Sequence, residues 1–145
     1  MAETVRRTIR TEATAGPNGT SRHSVRDLSP FLVDAGRSGP SPLELLLVAL
    51  NGCTAVLVAM VAQERRLAVR GASFLAEGDV DYRGLMGVAG VLPYFQAVRQ
   101  TVRVTTDLSD AELRLLGAEV ERRCPVANLL RSAGVPLQTT WVREG

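Results

Sequence analysis

The longest hydrophobic segment of the chain is an almost unbroken apolar run over residues 45–62. Ser41, Pro42 and Glu44 precede it with the pattern of a helix start. Ser is a favoured N-cap, Pro fits the first helical position, and a Glu three residues after the Ser completes a capping box. The pattern predicts one long helix that begins at Pro42 and ends near Arg66.

The apolar character of this helix allows two interpretations, a membrane span or a buried central helix. Asn51, Gly52 and Thr54 interrupt its middle, polar residues 63–66 close its end, and no second hydrophobic segment follows. We therefore expect a buried helix and no membrane association. A chain of this size would not cover the helix completely, so a partner subunit is expected to supply part of the cover.

The other elements are predicted from alternation and from a second helix start. Ser109 and Glu112 form another capping box, Cys124 and Pro125 interrupt the helix that follows, and a new helix can begin at Pro125. Residues 34–40 and 82–93 are predicted to be loops. Extended segments are predicted over residues 4–13, 21–28, 31–33, 69–81, 97–106 and 135–142. This order predicts an α+β fold in a single domain, residues 1–145.

Composition removes several classes of function. All 17 basic residues are Arg, so Schiff-base lysine chemistry and a P-loop are excluded. The lone His23 excludes multi-histidine metal sites, and we expect neither metal nor cofactor. The net charge of +2 is scattered and aromatic residues make up 4% of the chain, which argues against nucleic-acid binding. The charged N-terminal segment has no apolar core of a signal peptide, so a cytoplasmic protein is expected.

The remaining strong nucleophiles are Cys53 and Cys124. In a reducing cytosol we expect two free thiols or a transient catalytic disulfide rather than a permanent bridge. Cys53 is either an ordinary buried residue or a reactive one. The adjacent Gly52, costing about 1 kcal/mol in a helix relative to Ala, predicts a close approach by another backbone or a ligand.

Cys124 also has two interpretations. It either simply separates two helical pieces or is an N-cap residue, where the unsatisfied N–H groups and the helix dipole favour a thiolate. Arg122 and Arg123 are expected to add positive charge there.

Two segments make the chain recognisable. Residues 39–54, GPSPLELLLVALNGCT, and residues 124–130, CPVANLL, resemble the OsmC/Ohr family in order and spacing. The resemblance implies an intertwined homodimer in which antiparallel sheets wrap around long central helices. It also implies thiol-dependent reduction of organic hydroperoxides, with hydrogen peroxide as a further candidate substrate. Cys53 would be the peroxidatic thiol, Cys124 the resolving one, and a lipoyl-type or thioredoxin-type dithiol the reductant of their disulfide.

The acidic residue of the family motif is displaced. In the peroxidase branches a Glu directly follows the helix Pro, whereas here Leu43 does and Glu44 comes one residue later, closer to the YhfA-type branch. Glu44 and Cys53 are about 13 Å apart along a straight helix and half a turn around it. Glu44 would therefore act by orienting an arginine. The family's arginine position is occupied by Val33, so Arg37 in the loop, or Arg26 upstream, would take that role.

Two other functions remain open from the sequence. The displaced Glu and arginine are compatible with a non-enzymatic dimeric protein that binds an apolar ligand. The same two thiols would also suit a redox sensor that passes oxidation to a partner.

Overall fold

In the computed structural model, which describes residues 5–145, the chain forms two compact units, one up to Leu46 and one from Leu47 onward. The first unit contains an antiparallel sheet in the order β1-β2-β3. Its strands are β1 (Glu12–Ala15), β2 (Ser21–Ser24) and β3 (Phe31–Val33).

Two strands of this sheet are shorter than predicted. Residues 5–11 carry no regular structure and residues 26–27 turn, while Thr4 lies outside the described residues. Every position of β1 is exposed. An alternating pattern with no apolar face to bury gives little stabilisation to a longer strand, which accounts for the difference.

The loop after β3 is closed by its own first residue. The Asp34 carboxylate accepts backbone N–H groups from Gly36 and Arg37, each at 2.8 Å, and from Ser38 at 2.8 Å. These three bonds lower the pKa of Asp34, with the Arg37 N–H as the largest cause. The loop is therefore an ordered connection to the long helix.

The elements of the second unit follow the predicted order, and the α+β class is confirmed. A short helix occupies the start of the loop predicted for residues 82–93. The elements are α1 (Pro42–Arg65, whose first turn lies in the first unit), β4 (Val69–Asp79), α2 (Tyr82–Leu85), β5 (Ala97–Thr106), α3 (Asp110–Arg123), α4 (Pro125–Ser132) and β6 (Leu137–Glu144).

The second sheet has the order β4-β5-β6 and mixes two strand directions. The pair β4 and β5 is antiparallel, whereas β5 and β6 are parallel, with Val98 opposite Leu137 and Thr105 opposite Glu144. The resemblance implied antiparallel sheets throughout. The parallel pair is possible because α3 and α4 form the long crossover that two parallel strands need.

The core of this unit lies on one face of β5. Val98, Val102 and Val104 are at most 1% exposed, as the alternation predicted. Helix α1 is long and apolar enough to cross a bilayer, by length and composition only. It is buried along one side, through Leu50, Thr54, Leu57, Val58, Val61 and Ala62.

Candidate active site

Cys124 occupies the joint between α3 and α4 and is 1% exposed. Its extended backbone ends α3, and the same residue is the N-cap of α4. Pro125 stands at the first turn of α4, and the backbone N–H of Ala127 donates to the Cys124 sulfur at 3.4 Å. The N-cap interpretation of Cys124 is confirmed.

Cys53 lies near the middle of α1 and is half-buried. Its thiol lies close enough to the Cys124 thiol and to the backbone N–H of Val126 for both groups to influence its pKa. Both cysteines are free. The fold thus brings together two thiols that are far apart in the sequence, beside the first turn of α4.

The electrostatics of Cys53 favour the neutral thiol. Burial raises the pKa of Cys53, and the hydrogen bond with Cys124 and the charge of its thiolate raise it further. The Val126 N–H acts in the opposite direction, because an N–H donor stabilises the thiolate. Among these groups, burial has the largest effect.

The two arginines beside Cys124 are used for other contacts. Arg122 pairs with Glu119 at 2.8 Å, and Arg123 pairs with Glu64 on α1 at 2.6 Å. Carboxylates thus offset part of the positive charge that both arginines are expected to add beside Cys124. Arg123 also joins the Cys124 joint to the helix that carries Cys53.

Glu44 and Arg37 belong to the first unit. The Glu44 carboxylate accepts the Ser41 N–H at 2.7 Å and the Glu44 N–H donates to the Ser41 hydroxyl at 3.3 Å, so the predicted capping box is present. The backbone N–H of Ser41, followed by its hydroxyl, lowers the pKa of Glu44. The backbone of Arg37 is held by Asp34.

A buried polar cluster next to Cys53 was missed in the sequence. The Gln100 amide donates to the side chains of Asn51 at 3.0 Å and Thr54 at 3.1 Å. The Thr54 hydroxyl donates to the Leu50 carbonyl at 2.8 Å. The signal was visible, since Gln100 lies between Val98 and Val102 on the apolar face of β5.

The close approach predicted at Gly52 is not made within the described residues. A β-carbon at Gly52 would meet nothing within 4 Å. The residues described by the structure also contain no group of three His, Cys, Asp or Glu side chains placed to hold a metal ion.

The site consists of two free cysteines on an α+β scaffold. Comparison with known proteins identifies the family to which this scaffold belongs. A family model described as OsmC-like protein matches residues 35–140. The chain belongs to the OsmC-like family. A search of curated proteins gave no match.

Solved structures agree on the fold. An OsmC-like protein from Mycoplasma pneumoniae is 16% identical with a TM-score of 0.79, covering 95% of this chain and 99% of that one. An organic hydroperoxide resistance protein OsmC from Legionella pneumophila is 18% identical with a TM-score of 0.68, covering 96% and 99%. An organic hydroperoxide resistance protein from Elizabethkingia anophelis is 16% identical with a TM-score of 0.72, covering 98% and 100%. These likenesses establish an OsmC-like fold.

Proposed function

We propose that the protein is a cysteine-based peroxidase that reduces organic hydroperoxides in the cytoplasm as a defence against oxidative stress. The observation that carries the proposal is the meeting of two free thiols, Cys53 and Cys124, over the first turn of α4. The family includes proteins named for hydroperoxide resistance, which supports the same chemistry here.

The proposed cycle has three balanced steps. The Cys53 thiolate attacks the outer oxygen of the hydroperoxide, which breaks the O–O bond and, after proton transfer, gives an alcohol and a Cys53 sulfenic acid. The Cys124 thiol then displaces water from that sulfenic acid and forms the disulfide. A lipoyl-type or thioredoxin-type dithiol supplies two electrons and two protons and is itself oxidised to a disulfide.

Mass spectrometry tests this cycle directly. Reduced protein treated with cumene hydroperoxide, and separately with hydrogen peroxide, is expected to lose the mass of two hydrogens as the disulfide forms. Cys53→Ser should abolish peroxide consumption. The matched variant Cys124→Ser should stop at a sulfenic acid that dimedone traps. A wild-type protein that stays fully reduced, or consumption that survives Cys53→Ser, would contradict the proposal.

Arg37 is the proposed cation for the Cys53 thiolate, with Glu44 as the residue that orients it. The family resemblance supports this assignment, and within the first unit the Arg37 backbone is held by Asp34. Arg37→Gln should slow Cys53 oxidation at least about tenfold, the scale of one lost charge-assisted contact. Arg26→Gln is the matched control and should react at the wild-type rate. The opposite result would transfer the role to Arg26.

The proposed active form is a homodimer. A stripe of α1 on the side away from the sheet leaves Val48 and Val56 60% exposed and Met60 43% exposed. Gly52 lies on the same stripe, where a partner backbone would make the approach that the sequence predicts. Val56→Glu should give a monomer in analytical ultracentrifugation, whereas Leu115→Glu, at an equally exposed apolar position of α3, should not. A monomeric wild type would refute the dimer.

A second candidate is a binding protein for an apolar ligand. A groove of about 730 Å³ runs between the end of α1 and β4, with Val58, Ala62 and Phe74 among its lining residues. Native mass spectrometry that finds a retained lipid on a protein with slow thiols would favour binding. Ligand-free protein with rapid Cys53 oxidation would favour the peroxidase. Rapid turnover with a dithiol would in turn distinguish an enzyme from a redox sensor, which does not need to cycle quickly.

A further inference from the structure

The row of valines on β5 contains one buried amide. Gln100 is 3% exposed and lies on the same face as Val98 and Val102, where packing alone would favour an apolar residue. Burying an amide requires hydrogen-bonding partners, because an unpaired one is costly. Thr54 and Asn51 of α1 supply the partners of both amide protons.

The geometry of these bonds restricts the rotation of α1. In a helix with 3.6 residues per turn, Asn51 and Cys53 lie on opposite sides of Thr54, about 60° and 100° away around the axis. One amide that binds both Asn51 and Thr54 therefore fixes the direction in which Cys53 points. Valine contacts restrict this rotation less, since dispersion contacts have no direction whereas hydrogen bonds weaken steeply with angle.

A small rotation is enough to separate the thiols. Turning α1 by about 20° moves a side-chain atom about 5 Å from the axis by roughly 1.7 Å. A disulfide needs β-carbons within about 3.5–4.5 Å of each other. The Cys124 end of the pair is held by α4, so the freedom that matters is that of Cys53.

We propose that Gln100, Thr54 and Asn51 are positioning residues that hold α1 at the rotation at which Cys53 faces Cys124. The inference rests on the proposed pairing of the two thiols, but it does not require a hydroperoxide. Beyond its contribution to stability, the cluster would thus keep the effective concentration of the Cys53 thiol near the Cys124 thiol high.

Equilibration with reduced and oxidised glutathione measures that effective concentration. The protein dithiol transfers two electrons to glutathione disulfide and forms the Cys53–Cys124 bond with release of two glutathione thiols. Thr54→Val keeps the side-chain shape and removes the hydroxyl. Its equilibrium constant for disulfide formation should fall by about tenfold, while Thr54→Ser should stay within about threefold of wild type. Gln100→Met is an independent removal of the amide and should reproduce the Thr54→Val result.

Val104→Ala is the control for a merely structural role. It leaves a cavity on the same face of β5, lowers stability without touching the polar cluster, and should leave the glutathione equilibrium within about threefold. Unchanged equilibria in both Thr54→Val and Gln100→Met would overturn the inference, as would an equal loss in Val104→Ala. A wild type whose thiols never pair would also overturn it. If Cys53 and Cys124 form their disulfide in the glutathione buffer but do not react with hydroperoxides, the peroxidase proposal is refuted and the positioning proposal stands.

Discussion

The two cysteines are held by different kinds of interaction. Cys124 is fixed by its immediate sequence neighbours, since its sulfur accepts from Ala127 and its carbonyl oxygen accepts the Asn128 amide at 2.8 Å. Cys53 lies inside a continuous helix whose orientation depends on distant residues such as Gln100. Local contacts thus determine one half of the site, and tertiary contacts determine the other. Perturbing each half separately should therefore give different results.

Two glycines provide the largest expected contrast. A β-carbon on Gly117 of α3 would lie 2.8 Å from the ring of Trp141, and the ring is held by a 2.9 Å hydrogen bond from its Nε1 to Glu121. Gly117→Ala should lower the free energy of unfolding by about 1–3 kcal/mol through overpacking. A β-carbon on Gly52 of α1 would contact nothing within 4 Å. Gly52→Ala should therefore raise the free energy of unfolding by up to about 1 kcal/mol, because Ala favours the helix more than Gly does.

Urea unfolding tests this pair at a protein concentration low enough to keep the chain monomeric. If the wild type still dimerises at that concentration, both glycine substitutions can be measured in the Val56→Glu variant, which is expected to be monomeric. Equal losses in both variants would contradict the contrast and would show that α1 is as closely packed at Gly52 as α3 is at Gly117.

Removing each thiol should have the next largest effect on stability. Cys124→Ala removes the acceptor of the Ala127 N–H and leaves a small cavity, for an expected loss of about 1–2 kcal/mol. Cys53→Ala, at a half-exposed position without a capping role, should cost less than about 1 kcal/mol. Cys124→Ser keeps an N-cap acceptor and should be more stable than Cys124→Ala. Thermal unfolding of the three variants checks the order, and equal stability of the Ala and Ser variants would show that the cap contributes nothing.

The same division explains what could be predicted from the sequence. Short-range signals predicted the helix starts at Ser41 and Ser109 and the joint at Cys124, because a capping box or a Cys-Pro step acts within a few residues. They also predicted that β5 is a strand with one apolar face. The family followed from two such segments together.

The features that were missed depend on long-range contacts. Alternation does not state whether β6 lies parallel or antiparallel to β5, since the crossover decides that. The Gln100 cluster needs residues almost fifty positions apart to meet, and the ion pair of Arg123 with Glu64 joins two separate helices. The prediction that β1 begins near residue 4 was wrong because alternation alone does not stabilise a strand that buries no apolar face.

The reactivity of Cys53 is expected to depend on Cys124. Because burial and the neighbouring thiol raise the pKa of Cys53, its alkylation should remain slow near neutral pH and accelerate above the ordinary range for cysteine. Cys124→Ala should lower the pH midpoint of Cys53 alkylation and speed that alkylation by a few-fold at about pH 8. Peptide-level mass spectrometry across a pH series measures the rate at Cys53. A wild-type pH midpoint below the ordinary range, lost in Arg37→Gln, would instead show that the proposed Arg37 cation outweighs burial and the Cys124 thiol.

The smallest expected effect concerns the ionic contact between the two halves. Arg123→Gln removes the pair with Glu64, whose pKa is lowered by the hydrogen bond from Arg123. A carboxyl group with a lowered folded pKa contributes stability above its unfolded pKa and loses it as the pH falls through the folded value. The urea midpoints of wild type and variant should thus differ slightly at about pH 7 and converge in acid and in high salt. Arg114→Gln, without an ion pair among the described residues, is the matched control, and a difference that persists in acid would rule out the ionic contact as its cause. Disulfide formation should be unchanged in Arg123→Gln, because the amide cluster of Gln100, not this exposed ion pair, is expected to orient Cys53.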